Sequence, residues 1–389
     1  MKKPVLAITD FQLKEMRGGG QKVTQLLVNS LQDYYPVIYI GGHPNDVVCK
    51  EKISPYTKKL TNNEGIGKFR SNPITENSVL KRIIRYAFHK FRFLSNRLLR
   101  NATVSCDIAV SNSNYDDMIM LEGSRFHLNY KGAIFIKHAP YFDFGKIYPD
   151  RLIKDKIFRI IALNSVDYKL LSIKYSRKNV RLIYPILDSK KVKAAKGYIE
   201  RLGIQKRKKV IFSIGRLDES QKKLSIAIKA MSTASKLNDD LVYIIAGDGQ
   251  DRKLYEKMIS SYGLTDKIKM VGFVTDEEKR ALFERADLVL QPSLKENFSS
   301  VTLEALNYGA LVLTSRNSGS IDLISEGKNG FFLEITPEDI AAKMLKIVGL
   351  KEAQKNSIRK NAFRTASRFS TKKMIQQYKE VINELASEI

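Results

Sequence analysis

One unit repeats from residue 209 onward: a short apolar run, a turn marked by glycine or proline, then a segment with helical spacing. The run 209–214 ends at Gly215-Arg216-Leu217 and precedes a helix over 224–236. The run 241–246 ends at Gly247-Asp248-Gly249 and leads into a helix over 251–262. A strand at 268–273, a helix at 275–285 with an acidic first turn, strands at 286–290, 311–314 and 331–333, and a helix from Pro337 continue the alternation. Helices over 352–369 and 371–387 complete it. Apolar runs separated by whole helices have no tight turn to make hairpins, so they pair in parallel, with helices covering both faces of the sheet.

The N-terminal half starts the same way. A run at 4–9, the triplet Gly18-Gly19-Gly20, a helical pattern through Val23, Leu26, Leu27 and Leu31, and a strand at 37–40 make one βαβ unit. Further strands are expected at 107–111, 133–137, 159–163 and 180–184, while 50–78 is polar without clear period. Pro185, Asp188 and the lysine-rich 189–198 read as a linker. The expected fold is α/β, two Rossmann-like doubly wound domains facing across a cleft: 1–187, 188–369, and a C-terminal helix over 370–389.

The chain has 389 residues, enough for two or three domains with real cores. Cys49 and Cys106 are too few and too isolated for a metal site or disulfide framework, and read as ordinary thiols of a reducing compartment. Asp10 interrupts the first apolar run before signal-peptide length, and no stretch approaches 18 apolar residues, so no membrane span is expected.

The formal net charge is +26, which favours an anionic partner. Residues 1–200 hold 35 Lys and Arg against 17 Asp and Glu, so most of the excess lies there. Between Glu76 and Asp107 there are only bases. Within that interval, about 79–100, Leu80, Ile84, Ala87, Phe88, Phe91, Leu94 and Leu98 recur at three and four, with Arg82, Arg85, Arg92 and Arg97 largely on other faces. This basic amphipathic helix is either a surface helix with solvated charges or an interfacial one drawn to anionic lipid.

The chemistry gathers at Gln291–Leu313, QPSLKENFSSVTLEALNYGALVL. A strand enters Pro292-Ser293, a polar turn follows, and a helix carries Val301, Leu303, Leu306 and Tyr308 before stopping at Gly309. Glu296 and Glu304 bracket the turn and the first part of that helix, whose N-terminal amides suit phosphate. Two glutamates on a helix face usually meet only water. In this ordered frame, with Arg216 and Lys222 at the C-terminal edge of the same sheet, they converge on a nucleotide diphosphate-sugar. Cations neutralise the diphosphate and carboxylates accept from hydroxyls. Gly18–Gly20 is neither a Walker loop nor a GxGxxG fingerprint, and reads equally as a tight turn or a binding loop. His138, directly after the strand at 133–137, lies at the edge where α/β ligands bind, or is structural.

Residues 209–345 resemble the C-terminal domain of a retaining GT-B glycosyltransferase of family 4. The resemblance is carried by IGRLDESQKK, AGDGQDRKLYEK, VGFV, PSLKENFSSVTLEALNYG and SEGKNGFFL, and extends loosely through Gly18–Gly20 and Lys137-His138-Ala139. It implies Arg216 and Lys222 on the diphosphate, Glu296 on the sugar hydroxyls and Glu304 on the ribose. It also implies His138 beside the donor sugar, Gly19 and Gly20 near phosphate and acceptor, and Gly272, Phe273 and Val274 bordering the base. Asn297, Phe298, Ser299 and Ser300 complete the donor loop. Lys223 stands where the family often has glycine, and Ser299 where glycine is usual after Phe. The resemblance further implies transfer with retention, same-face attack, and closure of the two domains by the last helix. No Asp-x-Asp motif lies in a suitable loop, so no metal and no cofactor is expected, and fixed cations hold the leaving diphosphate.

The expected function is therefore a metal-independent hexosyltransferase acting in polysaccharide biosynthesis. It takes a sugar from a UDP-sugar donor to a lipid-linked or cell-envelope acceptor at the cytoplasmic face of the membrane, held there peripherally. A soluble small-molecule or protein acceptor is the alternative. A basic nucleic-acid-binding protein ranks below both, because no zinc-finger spacing or RNA-recognition signature is present.

Overall fold

The structure is a computed structural model that describes residues 3–10, 26–41, 60–61, 102–111, 126–137, 157–186 and 192–389. The triplet Gly18–Gly20, Cys49, the basic segment 79–100 and His138 lie outside the described residues. The chain divides into two compact units. One comprises Met1–Leu163, Asp167–Ile183 and Met374–Ile389; the other comprises Asn164–Val166 and Tyr184–Lys373.

The first unit is built on a parallel sheet. Its strands are β1 (Leu6–Asp10), β2 (Val37–Gly41), β3 (Leu60–Thr61), β5 (Ile108–Ser111), β7 (Gly132–Lys137), β8 (Ile157–Ala162) and β9 (Val180–Leu182), with β4 (Ala102–Ser105) and β6 (Phe126–Asn129) paired separately. The order is β3-β2-β1-β5-β7-β8-β9, so direction of growth reverses between β1 and β5. Ala7, Ile38, Ala109, Ala133, Phe135, Ile160 and Ala162 form a core on one face together with Leu171 of the helix Ser165–Tyr175. The short strands β3, β4 and β6 were not foreseen from the sequence, where too few apolar residues mark them.

The helix Thr371–Glu388 buries Met374, Ile375, Tyr378, Val381, Ile382 and Leu385. Arg159, 1% exposed, points from β8 to Glu384 at 3.1 Å and also pairs with Glu388, while Arg181 binds both Glu384 oxygens at 2.6 and 2.8 Å. Tyr35 donates to Asn383 at 2.8 Å. Burial works against the Glu384 charge, yet hydrogen bonds from Arg181 and Arg159 hold its carboxyl below the ordinary glutamate value.

The second unit carries six parallel strands: β10 (Lys209–Ile214), β11 (Leu241–Ala246), β12 (Ile268–Gly272), β13 (Leu288–Gln291), β14 (Val312–Ser315) and β15 (Phe331–Leu333). Their order, β12-β11-β10-β13-β14-β15, is the doubly wound 3-2-1-4-5-6 arrangement. Alternate residues of each strand face opposite layers, as the pleat requires. Ile211, Tyr243, Ile245, Leu288 and Leu313 pack with the helices Leu224–Leu237 and Pro337–Val348. Val210, Phe212, Ile244, Val289 and Val312 pack with Asp276–Arg285, Ser300–Asn307 and Glu352–Ser367. Both faces are covered, which explains why these strands read as unbroken apolar runs.

The segment expected to be a linker is in part packed. Ala194, Ala195 and Tyr198 join the second unit's core, and the Ala195 amide donates to the Glu277 carbonyl at 3.0 Å. Two alanines and a tyrosine among lysines carry too little periodicity to announce this.

Candidate functional site

In the 3-2-1-4-5-6 order the sheet changes its direction of growth between β10 and β13, and the loops leaving the C-terminal ends of those two strands flank a crevice. Gly215, Arg216, Lys222 and Gln291 line a small pocket there. Asp218 caps the short helix Glu219–Lys222, accepting from the Ser220 amide at 3.1 Å, and Lys223 ends it with φ of 53°. That left-handed turn is what lets a second helix restart at Leu224. A lysine therefore occupies a conformation that glycine adopts without cost, the physical meaning of the departure at this position.

Lys222 and Glu296 form an ion pair, with side chains 15% and 14% exposed. Gln221 ties the two loops beside it: its carbonyl accepts the Leu294 amide at 2.8 Å, and its side-chain amide donates to the Lys295 carbonyl at 3.1 Å. Arg216, half-exposed, accepts orientation from Gln221, donating to its side-chain oxygen at 3.2 Å. Gln221 thus positions both cation loop and acid loop, a role the sequence reading did not assign.

The Glu296 loop is braced from behind by 315–320. Asn317 donates to the Ser293 carbonyl at 3.0 Å, Ser318 donates to the Glu296 carbonyl at 3.0 Å, and the Gly319 carbonyl accepts the Ser299 amide at 3.2 Å. A Cβ on Gly319 would sit 2.8 Å from the Glu296 Cβ. Gly319 reads in the sequence only as a turn; its role is close packing against the acid loop.

Asn297 and Phe298 turn inward. Asn164 donates to the Asn297 carbonyl at 2.8 Å and to its side-chain oxygen at 2.9 Å. Phe298 lies 5.9 Å from Tyr184 and 6.1 Å from Phe369, ring to ring. Burial, then the Asp322 carboxylate, push the Tyr184 phenol up to about 12. What 297 and 298 can offer a ligand is backbone. Ser299 has φ of −85° and caps the helix Ser300–Asn307, its hydroxyl accepting from the Thr302 amide at 3.4 Å. Nothing in that backbone requires glycine, so the serine replaces it without strain.

Glu304, on that helix, pairs with Lys279 at 3.0 Å, and Lys279 also reaches Asp276 at 3.2 Å. Burial alone would favour loss of the Lys279 proton; the two carboxylates outweigh it and hold the ammonium above the ordinary lysine value. The Asp276 pairing is foreshadowed by three-residue spacing on one helix, but Glu304 is 25 residues away in sequence and only the fold brings it near. Gly272 has φ of 73° and its carbonyl accepts the Gly247 amide at 2.6 Å. Phe273 is 67% exposed, and Val274 packs on the core.

In the first unit, Lys137 at the end of β7 forms an ion pair with Asp167 at 2.7 Å, both 1% exposed. His138, Gly19 and Gly20 lie outside the described residues, so the structure does not position them. Among the described residues no cluster of three or more His, Cys, Asp or Glu is placed to hold a metal ion. Cys106 is buried, its thiol pushed up to about 12 chiefly by burial.

Residues 196–365 match the family profile described as Glycosyl transferases group 1. An uncharacterised glycosyltransferase of Methanocaldococcus jannaschii is 30% identical over a stretch covering 42% of this chain and 42% of its own length. A Campylobacter jejuni enzyme, named as an alpha-1,4-N-acetyl-D-galactosaminyltransferase acting on a GalNAc-containing diNAcBac-PP-undecaprenol, is 28% identical over 45% of this chain and 48% of its own. The match thus spans less than half the length of these relatives. Among solved structures, Anabaena HepE in complex with UDP and glucose superposes with a TM-score of 0.69 at 17% identity, covering 98% of this chain and 100% of that one. At that identity the likeness is one of fold. Residues 196–365 are thus similar to the glycosyl transferases group 1 family, and the two Rossmann-like α/β domains of the chain are those of the GT-B fold.

Proposed function

We propose that the protein is a retaining, metal-independent glycosyltransferase that moves a sugar from a UDP-sugar to a lipid-linked or cell-envelope glycan at the cytoplasmic face of a membrane. The observation that carries the donor half is the meeting of Lys222 and Glu296 at the edge of β10 and β13. Without ligand each neutralises the other. An incoming diphosphate competes for the Lys222 ammonium and engages Arg216, which releases the Glu296 carboxylate to accept from sugar hydroxyls. Fixed cations then carry the charge that develops on the leaving diphosphate.

In the proposed step the bond from the anomeric carbon to the diphosphate oxygen breaks and a bond to the acceptor oxygen forms on the same face. The acceptor proton passes to the departing diphosphate. Glu304 holds the ribose, 272–274 border the base, and His138, Gly19 and Gly20 serve the sugar and acceptor side. The family match, and the UDP and glucose bound by Anabaena HepE, support the donor class.

The acceptor reading is supported by the basic segment 79–100, by the excess charge of the first 200 residues, and by the undecaprenol-linked glycan in the Campylobacter relative's name. Among the described residues no helix is long and apolar enough to cross a membrane, and the proposed attachment is peripheral, through the basic segment 79–100. The test is a panel of nucleotide-sugars, read by thermal stabilisation and by nucleoside diphosphate release, with Glu296→Gln alongside. A UDP-sugar should stabilise the wild type, and Glu296→Gln should cut kcat by roughly 100-fold with folding intact. No response to any nucleotide-sugar removes the proposal. A wild type that ignores anionic vesicles, with Arg82, Arg85, Arg92 and Arg97 dispensable for activity, replaces the lipid-linked acceptor by a soluble one.

A further inference from the structure

Each acid of the donor stretch is met by a lysine, but the two lysines are held differently. Among the described residues Lys222 pairs with one carboxylate, that of Glu296, and it belongs to a four-residue helix, so a diphosphate can draw it away. Lys279 lies within a ten-residue helix, Asp276–Arg285, anchored by a full capping box in which Thr275 and Glu278 exchange hydrogen bonds. Its ammonium is shared between Asp276 at 3.2 Å and Glu304 at 3.0 Å, and its side chain is 17% exposed. The same helix follows Gly272, Phe273 and Val274 directly.

We propose that Lys279 is a positioning residue for nucleotide recognition: by holding one oxygen of Glu304 from a rigid helix, it aims the remaining acceptor capacity of that carboxylate at the ribose hydroxyls. The inference rests on the reading of Glu304 as the ribose ligand. A carboxylate has two oxygens and about four lone-pair sites, so one ammonium leaves room for both hydroxyls of a cis-diol. An unrestrained glutamate would lose side-chain rotamer freedom on binding, and a pre-set one has already lost it. Lys279 need not touch the nucleotide to act, and the fork of Asp276 and Glu304 keeps it from leaving.

The test compares UDP with 2′-deoxy-UDP by calorimetric titration of the full chain, in wild type, Glu304→Gln, Lys279→Met and Lys279→Arg. Wild type should bind UDP more tightly than the deoxy form. Lys279→Met should weaken UDP about tenfold and shrink the preference for the 2′-hydroxyl toward unity, and Lys279→Arg should restore most of both. A merely structural role would lower thermal stability while leaving the ratio of the two affinities unchanged. If Glu304→Gln abolishes the preference but Lys279→Met keeps it, the role of Lys279 falls while the ribose reading stands. If Glu304→Gln leaves UDP binding and the preference untouched, the ribose reading falls and takes this inference with it.

Discussion

Two residues show how single positions set the site. Lys223 pays for its left-handed φ of 53° because the turn between the helix ending at Lys222 and the one starting at Leu224 demands it. Lys223→Gly should therefore stabilise the folded protein by about 0.5–1 kcal/mol, the strain relieved being partly offset by the greater freedom of glycine in the unfolded chain. Urea denaturation checks this, and a lower midpoint would contradict it. Gly247 has no such latitude. At φ of 113° its missing Cβ would overlap the Gly215 carbonyl oxygen, backbone that cannot swing aside. Gly247→Ala should cost roughly 2–4 kcal/mol and displace the strand end that carries Arg216, read as a fall in Tm and weaker nucleotide binding.

At the scale of elements, the terminal helix is the clearest case of a local pattern completed by distant partners. Its apolar stripe is visible in the sequence as helical spacing, but Arg159 sits inside an apolar strand and reads there as an anomaly. The structure resolves it: Glu384 and Glu388 come to a guanidinium only 1% exposed. Replacing both by glutamine leaves that charge buried without a counter-charge. The double variant should lose about 1–3 kcal/mol, the upper range for buried pairs being reduced because the glutamates are partly exposed. The pH dependence has a definite sign. The folded Glu384 carboxyl lies below its ordinary value, so its contribution is fully present above about pH 4.3 and is lost as pH falls through the folded value. Wild type and Glu384→Gln should converge in stability as the solution is acidified, measured by denaturant midpoints at successive pH values.

For the whole molecule, the charge is the property that no single element explains. Most of the +26 belongs to the first 200 residues, while the second unit balances its lysines against Asp and Glu through pairs such as Arg252–Glu256 and Arg280–Glu284. If the basic half meets an anionic membrane, sedimentation with anionic vesicles should fall steeply between low and physiological salt, because a Debye length shrinks to about 8 Å at 0.15 M. Neutral vesicles should not bind at either salt. Binding that is insensitive to salt would point to apolar insertion instead.

The order of the strands and longer helices of the second unit was legible, because parallel strands buried on both faces must be apolar and helices must show a 3.6-residue stripe. The placement of Arg216, Lys222 and Glu296 was legible too, since a strand end followed by a turn confines them to one edge. What the sequence by itself determined was therefore local: which segments are strands, where they end, and which charged residues stand at those ends. The tertiary structure decided the pairings. That Gln221 staples the acid loop, that Gly319 must be small behind Glu296, that Asn164 fastens Asn297 and that Lys279 meets Glu304 all depend on residues 23 to 133 positions apart being brought within hydrogen-bonding or van der Waals reach. Periodicity carries no record of such contacts, because they are fixed by how loops of one sheet edge pack. At Gln291–Leu313 the consequence is concrete: the sequence shows two glutamates about a turn and the helix after it, and only the fold shows that each is already answered by its own lysine.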